Sequence, residues 1–548
     1  MSLCSNKINP GNGSFRGFLM YIEASVFLFP DIPTISFVKR WTQFFSSTII
    51  IKRGQGSRTL CDPEESLRIT LPVPQRIILL EGFMITVPKA FRNTKTVRQI
   101  NEYMDSTFNE VLHTTLNPDG PGAIRIHLIP PKKEENALNP SIAIVNGTDI
   151  VPVNFVSAVI LAELIRETNR YDGKEIGEAE VQSILDRTGN SVKEIIPVLS
   201  KKRIQNDILQ IYTTMKQIAY REEVTTDIHY MSLGEYAEYM NAPHRMDVMV
   251  SAMTKNGQWH CNQKCVHCYA AGQVHADEKE LSTDEWKKIL DKCREAGIPQ
   301  VTFTGGEPTM REDLFELIRY ARWFISRLNT NGIRLTEDYC RQLHEAELDS
   351  VQITFYSVDP DVHNRLVGAP QYANTVKGIE NALAEGLSVS INTPLCTLNR
   401  DYEKTLEFLH EKGVIYVTCS GLITTGNAAG EASERLQLTS EELEAILREA
   451  VAYCHSNGME IAFTSPGWIG QEVFEELNIP SPSCGACLSN MAITPGGNVV
   501  PCQSWLSDEP LGNMLTDDWA SIWNSQTCVE RRNYASDMTG ECPLRRYC

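Results

Sequence analysis

The sequence predicts an α/β fold built on a parallel sheet. Between residues 246 and 463, short β-branched runs alternate with helical patterns, giving six strand–helix units. Two polar runs, one rich in cysteine and one in glycine, fall at the ends of the first two strands. Repeated units of this kind make a parallel sheet whose functional residues gather at the strands' C-terminal ends.

Taken in order, residues 1–66 show no clean period and read as an extension of unknown role. The apolar run 17–33 is broken by Glu23, Pro30 and Asp31, and is too short to span a membrane. Residues 67–136 read as an α+β region, with a strand and turn at 76–82, a helix at 97–112, a Pro/Gly loop at 117–122 and a solvated linker at 130–136. Residues 141–219 form a small module. Asn146-Gly147 between two apolar runs signals a hairpin, and helical patterns follow at 157–167, 178–187 and 191–199. Such a pattern suits a winged-helix-like module that binds a leader peptide, or a packing or dimerisation domain.

The regular alternation then begins with strand 247–254. Ser282-Thr-Asp-Glu285 marks a helix start ahead of Trp286, Ile289 and Leu290. Strands follow at 301–304, 325–328, 350–356, 388–392 and 414–419, with helices at 311–322, 337–345, 372–384 and 402–412 between them.

Composition narrows the function. The chain has 548 residues, 42% of them hydrophobic, a globular content. A net charge of −18 argues against nucleic acid as the main partner, because phosphate binding needs a basic face. Sixteen cysteines in so long a chain point to metal ligands in a reducing, cytoplasmic compartment rather than to a disulfide scaffold.

Cys261, Cys265 and Cys268 stand at spacings of four and three in the first loop. An iron–sulfur cluster held by three thiolates keeps one iron open; a zinc knuckle or three core cysteines are the other readings of the spacing. In the second loop, Gly305-Gly306-Glu307-Pro308 offers backbone that a ligand can approach closely.

Together these two motifs resemble the radical S-adenosylmethionine (SAM) superfamily, with CxxxCxxC after the first barrel strand and GGEP after the second. The resemblance implies a partial (β/α)6 TIM-type barrel over 246–463 and a SAM-binding [4Fe–4S] cluster on Cys261, Cys265 and Cys268. It gives Gly305, Gly306 and Glu307 to the SAM amino group and places His267 and Tyr269 near the adenine. Thr354 and Asn392, at the ends of later strands, are further candidates for SAM contact.

The tail carries a third group: Cys484-Gly-Ala-Cys487, Gly497, Cys502, Gly512-Asn513, Trp519, Trp523, Cys542 and Cys548. It resembles the SPASM extension of radical SAM maturases, which holds auxiliary [4Fe–4S] clusters. Thr539 stands where that pattern has a cysteine, and the pattern's last ligands lie past Cys548. The extension 484–548 is therefore expected to be C-terminally truncated and to hold one auxiliary cluster, with Cys528 or Cys548 available as a fourth ligand. Cys293, Cys340, Cys396, Cys419 and Cys454 read as core thiols.

The resemblance implies reductive cleavage of SAM to a 5′-deoxyadenosyl radical and hydrogen abstraction from a ribosomally made peptide or protein, with a flavodoxin- or ferredoxin-type reductant. A sulfatase-maturating enzyme is disfavoured because Gln503, not aspartate, follows Cys502. A cofactor-biosynthetic enzyme is a further alternative. A non-catalytic electron-transfer protein would have no use for the GGEP motif. No nucleic-acid or membrane partner is expected.

Overall fold

In the computed structural model the described residues are 85–86 and most of 95–536. Stretches 117–123, 172–176 and 431–434 and several single positions between 132 and 238 are excepted. The expected extension 1–66, the strand at 76–82, Cys542 and Cys548 lie outside the described residues.

The chain divides into two units. The smaller comprises 1–109, 131–141 and 153–213; the larger comprises 110–130, 142–152 and 214–548. The smaller unit contains α1 (Lys95–Ser106), α2 (Phe155–Asn169), α3 (Glu178–Ile195) and most of α4 (Lys201–Ala219). Asn154 caps α2, its side chain accepting from Ser157 N at 3.1 Å. Helix α2 is buried at Ala158, Val159, Ile160, Leu161, Ala162 and Ile165, nearly all round, as a central helix should be. The Tyr103 hydroxyl donates to Glu163 at 2.5 Å, and Arg187 pairs with Glu167 at 2.6 Å.

Three local readings change. The helix expected at 97–112 ends at Ser106, whose hydroxyl bonds back to Glu102 O. The separate helix expected at 191–199 is the end of α3, which runs through Gly189-Asn190 and stops before Pro197. The run read as a linker at 130–136 contributes Lys133–Glu134 to a ribbon with Ala137–Leu138 and Ile85–Thr86.

In the larger unit, β1 (Leu112–Leu116), β2 (Ile124–Ile129), β3 (Ser141–Val145) and β4 (Asp149–Val153) form a four-stranded sheet in that order. The hairpin between β3 and β4 turns at Asn146 and Gly147, with φ of 49° and 73°, as the Asn-Gly pair predicts. The sequence joined this hairpin to the following helices; its residues 142–152 belong with the barrel, and 153–213 with the smaller unit. Arg125 of β2 ties the sheet to the barrel by donating to Asp349 and to Arg322 O, each at 2.5 Å.

The barrel sheet contains β5 (Arg245–Ser251), β6 (Gln300–Gly305), β7 (Ile325–Thr330), β8 (Ser350–Thr354), β9 (Ser388–Pro394), β10 (Tyr416–Ser420) and β11 (Glu460–Phe463), each parallel to its neighbour. This is the expected partial barrel with a seventh parallel strand, β11, which is four residues long and opens on an exposed glutamate. The first crossover helix, α5 (Thr283–Glu295), begins on the predicted capping box: Ser282 N donates to Glu285 at 2.8 Å. Phe303, Leu328, Val351, Ile353, Ile391 and Val417 face the helices and are fully buried.

The C-terminal extension continues the same sheet. Its first strand, β12 (Asn490–Ile493), pairs parallel with β5, and β13 (Asn498–Val500) and β14 (Gly512–Asn513) follow antiparallel. Among the described residues no helix is long and apolar enough to cross a membrane.

Candidate active site and metal centres

The loop carrying Cys261, Cys265 and Cys268 follows β5 and a short ribbon turned at Asn256-Gly257. Distant segments hold it in shape. Lys264 N donates to Val367 O at 3.1 Å and Val266 N to Leu366 O at 3.0 Å. From beyond β10, Asn427 donates through its backbone to Cys268 O at 2.9 Å and through its side chain to Cys265 O at 3.1 Å. Gly368 and Gly426 permit this contact: a Cβ on either would lie 2.3 Å from Lys264 O or 2.4 Å from Tyr269 O.

All three thiols are half-buried. Burial, then the Glu307 charge, pushes Cys261 up to about 12; burial puts Cys265 well above its ordinary range and raises Cys268 as well. Such thiols become good ligands when a bound cation takes the place of the proton. Three of them on one loop at the C-terminal mouth of the barrel fit the donor set of an iron–sulfur cluster. Among the described residues no three His, Cys, Asp or Glu side chains converge to grip a single ion; in a cluster each thiolate takes its own iron.

Gly305 ends β6 with φ +137° against β5, where an added Cβ would lie 2.1 Å from Ser251 O. Gly306 is equally tight: its N–H donates to Ser251 O at 2.8 Å, and a Cβ would meet Ala252 O at 2.8 Å. Glu307 is fully buried, which raises its carboxyl, and four donors oppose that rise. Its Oε1 accepts from Thr309 N, Thr309 Oγ1 and Thr330 Oγ1 at 3.0, 2.6 and 2.7 Å; Oε2 accepts from Asn331 N at 2.9 Å. Asn331 in turn donates to the Asn262 side chain at 2.7 Å. Glu307 is thus joined to the cysteine loop through Asn331.

His267 is buried with its Nε2 2.9 Å from the Tyr356 hydroxyl, and burial lowers it to about 4, so its ring is neutral at pH 7. Tyr269 packs with Cys261 and Cys268 against Met249, Ala492, Val500 and Leu506, within electrostatic reach of both Cys268 and Cys502. Thr354 and Asn392 are register partners at the ends of β8 and β9, and Thr418 donates to Asn392 Oδ1 at 2.9 Å.

The barrel interior is polar. Along β7 and β8 exposure alternates strictly: Leu328, Val351 and Ile353 are buried against helices, while Arg327, Asn329, Gln352 and Thr354 keep partial exposure on the other face. Asp247, Thr302 and Arg327 occupy one level of neighbouring strands, and Arg245 pairs with Asp247 at 3.1 Å. Ser251 Oγ, Thr302 Oγ1, Asn329 Oδ1 and Asp247 Oδ2 are buried without a hydrogen-bond partner among the described residues. Such a lining suits a polar ligand or ordered water.

In the extension, Cys484 and Cys487 flank a tight turn. Cys487 has φ +57°, its N–H donates to Pro501 O at 3.2 Å, and a side chain on Gly485 would overlap Asn490. Cys502, pushed up to about 11 by burial, follows β13, and its sulfur lies 3.0 Å from Ser504 Oγ. Glu278 fastens the extension to the barrel, accepting from Thr494 Oγ1, Gly496 N and Asn498 Nδ2 at 2.5, 3.0 and 2.8 Å. Sequence reasoning missed Tyr356, Asn262 and Asn331, which carry no motif. It named Cys528 as one available fourth ligand, and that residue is fully buried beside Cys487.

Parts of the chain are similar to known proteins. Residues 259–409 match the Radical SAM superfamily model, and residues 484–548 match the SPASM iron–sulfur cluster-binding domain. The chain is 29% identical over 300 residues to an AdoMet-dependent heme synthase of Oleidesulfovibrio alaskensis, covering 52% of this chain and 76% of the relative. It is 29% identical over 270 residues to Fe-coproporphyrin III synthase of Methanosarcina barkeri, covering 47% and 66%. A probable GTP 3′,8-cyclase of Methanopyrus kandleri is 38% identical over 155 residues, covering 28% and 49%. Among solved structures, Streptococcus suis SuiB bound to S-adenosylmethionine superimposes with a TM-score of 0.49 at 15% identity, covering 75% of this chain and 91% of that one.

Proposed function

Because the chain carries a radical SAM core joined to a SPASM iron–sulfur domain, we propose that it is a peptide- or protein-modifying radical SAM enzyme. When bound, the cluster and SAM supply a 5′-deoxyadenosyl radical that takes a hydrogen atom from substrate. The chain's own residues do the rest. Cys261, Cys265 and Cys268 hold the cluster, and Asn427, Val367 and Leu366 fix their loop. Gly305 and Gly306 present close-packed backbone to SAM, and the polar faces of β5 to β10 receive the substrate. The observation that carries the reading is the seating of three thiols at the mouth of this lined interior.

The peptide substrate is supported by the SPASM domain and by the separate helical unit, whose helix α4 leaves Leu209 and Tyr212 exposed by 63% and 47%. An apolar helix face of this kind suits a leader segment. A chain starting near residue 225 would not isolate this unit, because it would also remove 110–130 and 142–152 of the larger unit. Point substitutions serve instead. One observation favours a second reading, a cofactor-biosynthetic enzyme resembling the heme and coproporphyrin synthases: Arg327, partly exposed on the inner face of β7, suits a carboxylate-bearing small molecule.

Anaerobic incubation of the reconstituted protein with dithionite and SAM is expected to yield 5′-deoxyadenosine, and the Cys261→Ala/Cys265→Ala/Cys268→Ala variant none. Equal yields would overturn the assignment. Precursor peptides encoded nearby, and porphyrins, are then compared for stimulation of that yield. Leu209→Ser/Tyr212→Ser is expected to weaken peptide binding in calorimetry, and unchanged affinity would remove the helical unit from recognition.

A further inference from the structure

The extension brings a fourth thiol to its metal site from an unexpected place. The helix Gln526–Ser536 follows the short helix Trp519–Trp523. Its buried Cys528 lies within hydrogen-bond reach of the Cys487 thiol. Cys502, half-buried, is in turn within electrostatic range of Cys484 and Cys487, so the four thiols are linked as successive neighbours. The CxxC turn, the end of β13 and the helix Gln526–Ser536 each contribute a thiol or two. The backbone fixes the arrangement: Cys487 N donates to Pro501 O, and Cys528 N donates to Ser525 Oγ at 3.3 Å.

A second observation is independent of the thiols. Arg531 and Arg532, one turn further along this helix, lie within electrostatic range of Cys487 and Cys528. Arg531 stacks over Trp505 at 4.0 Å from the ring centroid, and Arg532 over Trp523 at 3.6 Å. Arg532 Nη2 donates to Trp523 O at 2.8 Å. Yet Arg531 Nε and Arg532 Nη1 are buried without a hydrogen-bond partner among the described residues. Leaving a buried guanidinium N–H unpaired is unfavourable, and two near the Cys487 and Cys528 thiols call for an anion there. A thiolate-ligated iron–sulfur cluster is such an anion, and hydrogen bonds to its sulfurs help to set its potential.

We propose that Cys528 is the fourth thiolate of an auxiliary [4Fe–4S] cluster held by Cys484, Cys487 and Cys502, and that Arg531 and Arg532 donate hydrogen bonds to it. The proposal rests on the SPASM assignment and not on the peptide substrate. Its test reads no SAM cleavage, so the two can fail separately.

The full-length Cys261→Ala/Cys265→Ala/Cys268→Ala protein removes the SAM cluster and leaves the auxiliary site to be read alone. Cys528→Ser is introduced into that background, with Cys454→Ser, a buried thiol of the helix Ser440–Ser456, as control. Iron, sulfide and zinc are measured after anaerobic reconstitution, and electron paramagnetic resonance spectra are recorded with folding checked by circular dichroism. Cys528→Ser should lose at least one iron per chain or change the reduced cluster's spectrum, while Cys454→Ser matches the background. Identical iron content and spectra for Cys528→Ser and the background would overturn the ligand assignment, as would zinc in place of iron. Should Cys528→Ser fail to fold, Arg531→Gln and Arg532→Gln keep the proposal open to refutation. They should retain iron and shift the cluster's midpoint potential negative, and an unmoved potential in both would refute the site.

Discussion

Gly305→Ala tests whether the glycine pair is there for close approach. Ser251 O lies 2.1 Å from the added Cβ and already accepts from Gly306 N at 2.8 Å, so it cannot swing aside without losing that bond. Relief comes only by parting β5 from β6 at the end that leads into the cysteine loop. The backbone itself, at φ +137°, adds strain of about 1–3 kcal/mol for a non-glycine residue. The forced separation adds about 1–3 kcal/mol more. Gly413→Ala is the control, since its φ is +90° but nothing lies within 4 Å of its Cβ. The difference between the two variants isolates the close approach. At about 1.4 kcal/mol per tenfold, SAM affinity of the reconstituted Gly305→Ala protein should fall about 5- to 100-fold below that of Gly413→Ala. Calorimetric titration with SAM, at matched iron content, measures it. Equal SAM affinity and equal thermal midpoints for the two variants would refute the reasoning.

Two further outcomes follow from the larger unit. Arg125→Ala leaves the half-buried Asp349 without its ion-pair partner and should destabilise the protein by about 3 kcal/mol; a thermal midpoint equal to wild type would show that the sheet β1 to β4 is not anchored through this pair. His127, His244 and His363 are buried and lowered to about 3, 4 and 4. The unfolded chain takes up their protons near pH 6.5 and the folded chain does not. Stability should therefore hold above that pH and fall as pH drops from about 6.5 toward 4. Urea denaturation of the metal-free protein across this window, flat in profile, would contradict the burial of neutral rings.

What the sequence revealed and what it concealed divide along physical lines. The Asn146-Gly147 hairpin and the Ser282–Glu285 capping box were legible because the residues that decide them are adjacent in the chain. The cysteine and glycine motifs were legible because a cluster and a close-packed backbone each demand fixed residue types at fixed spacing. Strand β11 was not, since four residues beginning with an exposed glutamate carry no usable period. Nor was the division at 142–152, because an apolar hairpin carries no mark of the surface that will cover it. Cys528 illustrates the same limit. Its helix has no marked apolar face, and only the fold brings it to Cys487 from across the extension.

The bonds from Asn427, Leu366 and Val367 to the cysteine loop bear on how the protein is made. On the ribosome, Cys261, Cys265 and Cys268 emerge long before the chain that braces them. A nascent barrel halted ahead of β10 has its thiols but lacks the Gly426-Asn427 clasp that sets Cys265 and Cys268 in place. Contacts so distant in sequence form late in folding. The first cluster site therefore takes this shape only once the chain through Asn427 has folded onto the loop.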